Sequence, residues 1–304
     1  MWALCCVSIF FMNNVVLVSG SLAYDRIMDF SGTFRDHIMP DKIHMLSLSF
    51  QVDTFEERFG GTAGNIAYTL KLLGCEPKIF AAVGEDFDSY EEHLKKCGID
   101  TAYITRVKRA KTASAYIITD HDDNQIAAFY PGALGAGVIA QKIVYAPYAI
   151  VSPEQKGTMI GWVKKYQSEH VPYIFDPGQQ MTNFTGEELR DSIEGAFGVI
   201  GNDYEIELLL RMTGYSLHEV AQRVKVVVIT YGKKGSKVYS ENKVYDIKAI
   251  KPAVFVDPTG AGDAYRAGFI AGLVEGKSFE ECGRLASLVA ARAIEHYGAQ
   301  EHSL

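Results

Sequence analysis

What this chain lacks narrows its chemistry before any motif is read. It has five cysteines in 304 residues (Cys5, Cys6, Cys75, Cys97 and Cys282), an odd number with no CxxC pair. That pattern suits reduced, mostly buried thiols in a cytoplasmic protein. Its eight histidines show no HExxH or similar spacing, so no metal held directly by protein ligands is expected. Lysine and arginine number 30 against 37 acidic residues, and they cluster no further than pairs such as Lys95–Lys96 and Lys233–Lys234. A net charge of −7 and a pI near 5.7 argue against a nucleic-acid partner. The apolar run from Trp2 to Met12 is too short for a membrane span and is followed by Asn13–Asn14. It also lacks the positive start and small-residue cleavage site of a signal peptide. No GxxxxGK[ST] occurs, and no GxGxxG follows the first strand, which argues against P-loop enzymes and dinucleotide-dependent dehydrogenases.

What is present is an alternation. Hydrophobic content of 48% supports a substantial core. Val15-Val16-Leu17-Val18 followed by Ser19-Gly20-Ser21 reads as a buried strand feeding a turn. Met12 is a second candidate start, and residues 1–11 read as an extension without structure. Further buried strands are expected at 78–83, 148–152, 172–176, 197–200 and 225–230. Helical patterns fall at 63–73, 86–97, 154–168, 203–212, 216–223, 261–275 and 278–296. Strands and helices in alternation predict an α/β fold, a mainly parallel sheet with helices on both faces. Residues 24–58 and 101–130 break the rhythm with alternating patterns and turns. They suggest a small β-sheet covering a single domain that spans 12–304. "DHDDNQ" (120–125) reads as a hairpin loop, since its spacing matches no EF-hand.

Chemistry concentrates in "VDPTGAGDAYRAGF" (256–269), where two of the glycines and a carboxylate precede a helical pattern. A helix N-terminus presents unpaired N–H groups and the positive end of its dipole. Gly260 and Gly262 let the backbone approach a ligand closely. Asp263 reads in two ways: as an N-cap, or as a base beside an anion cradle made by Gly260, Ala261 and Gly262. An N-cap needs no double glycine, so the second reading gains. Beside a positive helix end, Asp263 is expected to be ionised at pH 7 and a weak base. "FGGTAGNIAYTLKLLG" (59–74) sets a second glycine pair before a helix, with Asn65 offering a donor and an acceptor. Asp25, just beyond the first strand, is placed to accept hydrogen bonds from adjacent hydroxyls, because ligands of open α/β sheets sit at strand carboxyl ends.

These motifs resemble the two signatures of the PfkB/ribokinase family of carbohydrate and nucleoside kinases. "GNDYE" (201–205) is similar to its NxxE element and "ITYGKKGS" (229–236) to its nucleotide-binding turn, and the resemblance runs from about residue 14 to the end. "HMLSLSFQVD" (44–53), "AAFYPGA" (127–133), "DPGQQM" (176–181) and "YGAQEH" (297–302) look most like bacterial adenosine kinases of the mycobacterial type. The resemblance implies a ribokinase-like three-layer α/β/α sandwich with a small β-sheet lid. It implies ATP and Mg²⁺ as cofactors, with K⁺ a further candidate, and transfer of the γ-phosphoryl group to the 5′-hydroxyl of a nucleoside, adenosine first.

Residue by residue, it makes Asp263 the base and Gly260, Ala261 and Gly262 the anion hole. Asp25, Asn65 and Gly61 would hold the ribose, Ser21 and Ser49 would line its pocket, and Phe129 would stack on the base. Asn202 and Glu205 would organise Mg²⁺ through water, and Thr230, Gly232 and Gly235 would border ATP. Arg266 is a candidate for neutralising the transferring phosphate, with a surface helix arginine as the plainer reading. One departure is Ala115, with Tyr116 beside it, where those enzymes carry a second stacking aromatic. Alternatives are a ribose- or fructose-type sugar kinase and a non-catalytic binding protein of the same fold. A homodimer through exposed strand edges is compatible with the sequence.

Overall fold

The computed structural model describes residues 14–39, 44–45, 47–240 and 243–304. The proposed extension at 1–11 lies outside them. In chain order, β1 (Val15–Ser19) is followed by β2 (Ala23–Asp29), the short helix α1 (Phe34–His37), β3 (Thr54–Gly60) and α2 (Thr62–Leu72). Next come β4 (Glu76–Val83), α3 (Asp88–Lys96), β5 (Ile104–Arg106), β6 (Ala113–Thr119), β7 (Gln125–Tyr130) and β8 (Tyr148–Val151). Then follow α4 (Lys156–Ser168), β9 (Tyr173–Phe175), α5 (Gly186–Ile193), β10 (Gly198–Asn202), α6 (Asp203–Thr213) and α7 (Leu217–Arg223). The remainder is β11 (Val226–Thr230), β12 (Ser236–Ser240), β13 (Lys243–Ile247), α8 (Ala261–Val274) and α9 (Phe279–Ala293).

A large sheet runs in the order β13-β12-β11-β10-β9-β8-β1-β4-β5. Its pairings are parallel from β11 through β5, and only the β11–β12–β13 edge is antiparallel. The interior strand β1 opens with an unbroken apolar run, Val15 to Val18, because both its faces are covered. Val16 and Val18 enter one core with Ile66, Leu70 and Phe269, while Leu17 enters the other with Trp162, Phe175 and Val227. Helices on both faces of one sheet make this a three-layer α/β/α sandwich. Among the described residues, no helix is long and apolar enough to cross a membrane.

Four helices start on reciprocal caps: Thr185 with Glu188, Asn202 with Glu205, Ser216 with Glu219, and Ser278 with Glu281. Each spacing is a local signal, satisfying orphan N–H groups at both ends of the pair. The expected strands and helices all form, with shifts of a few residues at their ends. Helix α9 stops at Ala293, three residues short of the expected 296, and the Ile294 carbonyl accepts N–H bonds from Val256 and Asp257. The antiparallel hairpin β12–β13 was not anticipated. Its strands carry lysine, serine and tyrosine, so they lack the apolar run of the buried strands.

A second sheet runs β3-β2-β6-β7. It draws on both stretches that broke the rhythm, with one correction. Residues 101–112 do not join it, because β5 pairs in parallel with β4 at the edge of the large sheet and Ile104 packs on the core there. "DHDDNQ" is the turn between β6 and β7. Asp120 spends its carboxylate on the N–H groups of Phe34, Asp122 and Asn124, which holds that turn closed.

Helix α8 packs chiefly on α9, and small residues make the approach possible. A Cβ on Gly268 would stand 2.8 Å from the Cα of Ala286. Gly268→Leu is therefore expected to push α9 away and cost about 1–3 kcal/mol, read as a lower urea midpoint with an unchanged slope.

Candidate active site

The carboxyl ends of β1, β8 and β9, the start of α2 and one face of the smaller sheet surround a cavity of about 910 Å³. Ser21, Asp25, Gly61, Asn65, Phe129 and Asp263, all singled out from the sequence, line it. Ligand pockets of open α/β sheets form at this end because the loops diverge there.

Asp263 is the third residue of α8 and does not cap it. The N-cap is Gly260, in the left-handed region at φ +76°, and no side chain caps that end. A Cβ on Gly260 would come within 2.4 Å of the Ala299 side chain, so the turn is closed to larger residues. Among the described residues, the N–H groups of Gly262 and Asp263 have no acceptor. The helix thus begins with open donors facing outward, the arrangement an anion requires.

The Asp263 carboxylate accepts a hydrogen bond from Asn65 Nδ2 at 2.8 Å. Burial raises its pKa to about 6; Arg266 and the Asn65 donor oppose the rise, and Asp176 and Asp25 add to it. The weak base expected from the helix dipole is therefore a stronger one, since desolvation outweighs the dipole. Asp25 behaves alike: burial raises it to about 6, opposed by Arg58 and assisted by Asp257. Its carboxylate accepts no hydrogen bond from any described residue, so both oxygens are free for a ligand. Gly60 keeps that space, since a Cβ there would sit 2.3 Å from Asp25 Oδ2. Gly61, at φ +87°, brings the start of α2 against β2; its Cβ would fall 2.6 Å from the Ser21 carbonyl. Ser21 Oγ is already engaged, accepting from the Thr62 N–H at 3.1 Å.

On the smaller sheet, Ala115 pairs directly with Phe129, so the two face the cavity together. Phe129 is 56% exposed, a bare ring surface at the rim. Tyr116 cannot replace the missing aromatic, because it points to the opposite face and its hydroxyl accepts from Arg26 at 2.8 Å.

Other expected residues lie elsewhere. Ser49 is exposed on the segment before β3 and does not line the cavity, a correction to its expected place in the pocket. Its neighbour Phe50 anchors the segment on Phe30 and Phe34, beyond the end of β2 and away from the cavity lining. Asn202 and Glu205 form the cap of α6: the Glu205 N–H donates to Asn202 Oδ1 and the Asn202 N–H to Glu205 Oε2, both at 2.8 Å. Burial and the neighbouring Asp176 raise the Glu205 pKa. Thr230 ends β11 directly beside Asn202 at the end of β10. Gly232 and Gly235 flank the turn that follows, both at positive φ, and a Cβ on Gly235 would meet the Ile247 carbonyl at 2.1 Å. Arg266 is not the surface residue of the plainer reading. It is 8% exposed and grips Asp176 through two nitrogens, donates to the Gly262 carbonyl at 3.1 Å, and lies 3.6 Å from Glu205. Asp176, the residue just past β9, is the partner that sequence spacing could not reveal across 90 positions.

The sequence reading also passed over Glu154. It lines the cavity just past β8, and burial pushes its pKa well up while Oε1 finds no partner among the described residues. Its place two residues past a buried strand was the available signal. Gln300, bonded to Asn65, lies in the quoted stretch "YGAQEH", but nothing local assigned it a role.

This geometry has relatives. The family model of pfkB family carbohydrate kinases matches residues 24–304. The chain belongs to that family. A nucleoside kinase of Methanothermobacter thermautotrophicus is 34% identical over 294 residues, covering 94% of this chain and 91% of its own. A Burkholderia thailandensis nucleoside kinase, solved in complex with inosine, is 38% identical with a TM-score of 0.83 over 95% of this chain and 92% of that one. The same enzyme has been solved in complex with ADP-inosine. A Methanocaldococcus jannaschii nucleoside kinase superposes with a TM-score of 0.88 at 28% identity, covering 95% of this chain and 94% of that one. This pfkB-family kinase is accordingly a phosphotransferase acting on nucleosides or sugars.

The two raised carboxyls give the kinase a stability signature. A folded-state pKa of about 6 against an ordinary 3.8 means the native protein holds those protons longer than the unfolded chain. Stability then falls as pH rises from about 4 to about 6. Asp25→Asn is expected to raise Tm above wild type at pH 8, with the gain shrinking to nothing by pH 4. Scanning calorimetry across that range checks it, and a gain that persists at pH 4 would contradict the burial argument.

Proposed function

We propose that this kinase transfers the γ-phosphoryl group of ATP to the 5′-hydroxyl of a ribonucleoside, with adenosine as the foremost substrate. The observation that carries the reading is the juxtaposition at the start of α8. A carboxylate oriented by Asn65 stands beside two open amides, at the edge of a cavity with a free carboxylate on another wall. In this reading Asp25 accepts hydrogen bonds from the ribose hydroxyls, and Phe129 stacks on the base. Asp263 takes the 5′-hydroxyl proton as that oxygen bonds to the γ-phosphorus and the bond to the ADP oxygen breaks. The open Gly262 and Asp263 amides hold the phosphoryl oxygens during transfer, the Ala261 N–H being spent on the Pro258 carbonyl at 3.2 Å. This is the kind of positioning and charge stabilisation on which phosphoryl transfer depends.

Support for a nucleoside over a free sugar comes from the cavity. Its volume and the exposed Phe129 ring exceed what a single pentose would fill. Gln155, Gln179, Gln180 and Asn183 add amide groups able to meet a heterocycle's donors and acceptors. The Burkholderia thailandensis relative binds inosine, which favours purine nucleosides as a class. Ala115 opposite Phe129 leaves one face of the base without an aromatic partner and favours tolerance among bases.

The nucleotide would lie across the ends of β10 and β11, against Thr230, Gly232 and Gly235. Mg²⁺ would neutralise phosphate charge there, and Glu205 Oε1, which has no partner among the described residues, is free to hold one of its waters. The smaller sheet would act as a lid that excludes water, a competing acceptor. The three described cysteines carry no disulfide, which fits a reducing compartment such as the cytoplasm.

The test is ADP release from Mg·ATP with adenosine, inosine, guanosine, ribose and fructose, for wild type and Asp263→Asn. Adenosine is expected to turn over fastest, and the substitution to lower kcat by roughly 10²–10⁴-fold, the usual contribution of a general base. The acid limb of kcat/KM should fall near pH 6, activity being lost as Asp263 protonates, and it should persist in Asp25→Asn. Turnover confined to a free sugar would overturn the purine reading. Binding without turnover on any substrate would favour a non-catalytic protein.

A further inference from the structure

The chain's last residues are threaded behind the catalytic turn. The Gly298 N–H donates to Asp257 Oδ2 at 3.0 Å, and Ala299 fills the space that closes Gly260 to a side chain. Gln300, 3% exposed, then reaches the base at second hand. Its Nε2 donates to Asn65 Oδ1 at 3.0 Å and to Tyr90 Oη, while its Oε1 lies 3.1 Å from His93 Nε2. The Tyr90 hydroxyl donates to the Gly60 carbonyl at 2.7 Å, at the root of the smaller sheet.

Donors and acceptors in this chain match in one direction only. An ionised Asp263 accepts, so Asn65 must present Nδ2 to it and turn Oδ1 to Gln300. Gln300 must then present Nε2, which leaves its Oε1 facing His93 and assigns the imidazole proton to Nε2. Tyr90 uses its lone pair for Gln300 and its proton for Gly60. Reversing any amide would set acceptor against acceptor inside a buried network, where an unmade bond costs most.

We infer that Gln300 is a positioning residue for the proposed phosphoryl transfer, fixing the Asn65 carboxamide so that its N–H, and never its carbonyl, faces Asp263. This rests on the reading of Asp263 as the base. The role differs from simple packing, because what Gln300 supplies is an amide orientation that Asn65, with near-identical ends, cannot choose by shape.

Gln300→Met keeps the volume and removes the donors. It is expected to lower kcat by about 10- to 100-fold, the range seen when supporting hydrogen-bond partners of metal ligands are removed. Nucleoside KM should stay close to wild type, because the binding carboxylate Asp25 is untouched. The acid limb of kcat/KM should move to higher pH, as Asp263 loses a donor. The other groups facing it (Asp25, Tyr90, Asp176 and its own helix's Arg266) are unchanged in this variant. In an Asn65→Ala background the same substitution should cost less than about twofold more, since residues acting through one another are not additive. His93→Phe retains the stack on Phe59 and removes the donor that orients Gln300, together with a 3.9 Å contact to Cys97 Sγ. It should lower kcat several-fold with only a modest loss of Tm from the unpaired Gln300 Oε1, and it decides the matter if Gln300→Met does not fold. Wild-type kcat and an unmoved limb in folded Gln300→Met, or an undiminished cost in the Asn65→Ala background, would overturn the inference. A wild-type protein without nucleoside turnover would refute the proposed function instead.

Discussion

Asp263 can carry a negative charge at the start of a buried helix only because three groups reach it from three directions. Asn65 donates from α2, Arg266 supplies positive charge from one turn further along α8, and the helix end contributes its dipole. A carboxylate removed from water without such compensation would protonate or unfold its surroundings. Here compensation is partial: burial still dominates, and the group rests near pKa 6. That balance leaves it ionised at neutral pH yet basic enough to take a proton.

The compensation has its own requirements. Arg266 is more deeply buried than Asp263, and it is tolerated because Asp176 pairs with it through two nitrogens while Glu205 stands close by. A buried guanidinium stripped of that partner would be strongly destabilising. The pair therefore ties three elements together: the turn after β9, the start of α6 and the first turns of α8. Two of them carry the proposed chemistry: α8 holds the proposed base and phosphate cradle, and α6 the proposed Mg²⁺ contact. The geometry of transfer and the stability of the core thus depend on one set of charges.

Much of the architecture was legible locally. The strands of the large sheet announce themselves as short apolar runs, and four helices carry their caps at a fixed three-residue spacing. Gly60, Gly61 and Gly260 could be read as sites of close approach, and each does hold a space that a Cβ would occupy. What misled was any role that depended on a partner far along the chain. Arg266 looked free because Asp176 lies 90 residues away, Ser49 looked near because the residues around it match a familiar stretch, and β12–β13 looked irregular because its strands are half polar.

By itself the sequence determined the alternation of strands and helices, the positions of the glycine turns, the approximate helix starts and the residue types at the proposed phosphate cradle. These follow from periodicity, capping chemistry and backbone freedom, all of which act over a few residues. Only the tertiary structure decided what each polar group faces. It made Asp263 a stronger base than its helix dipole suggests, turned Tyr116 away from the cavity, buried Arg266 and drew Gln300 to Asn65 across 235 positions. Desolvation and hydrogen-bond partnership depend on which distant segments meet, and no window of sequence contains that.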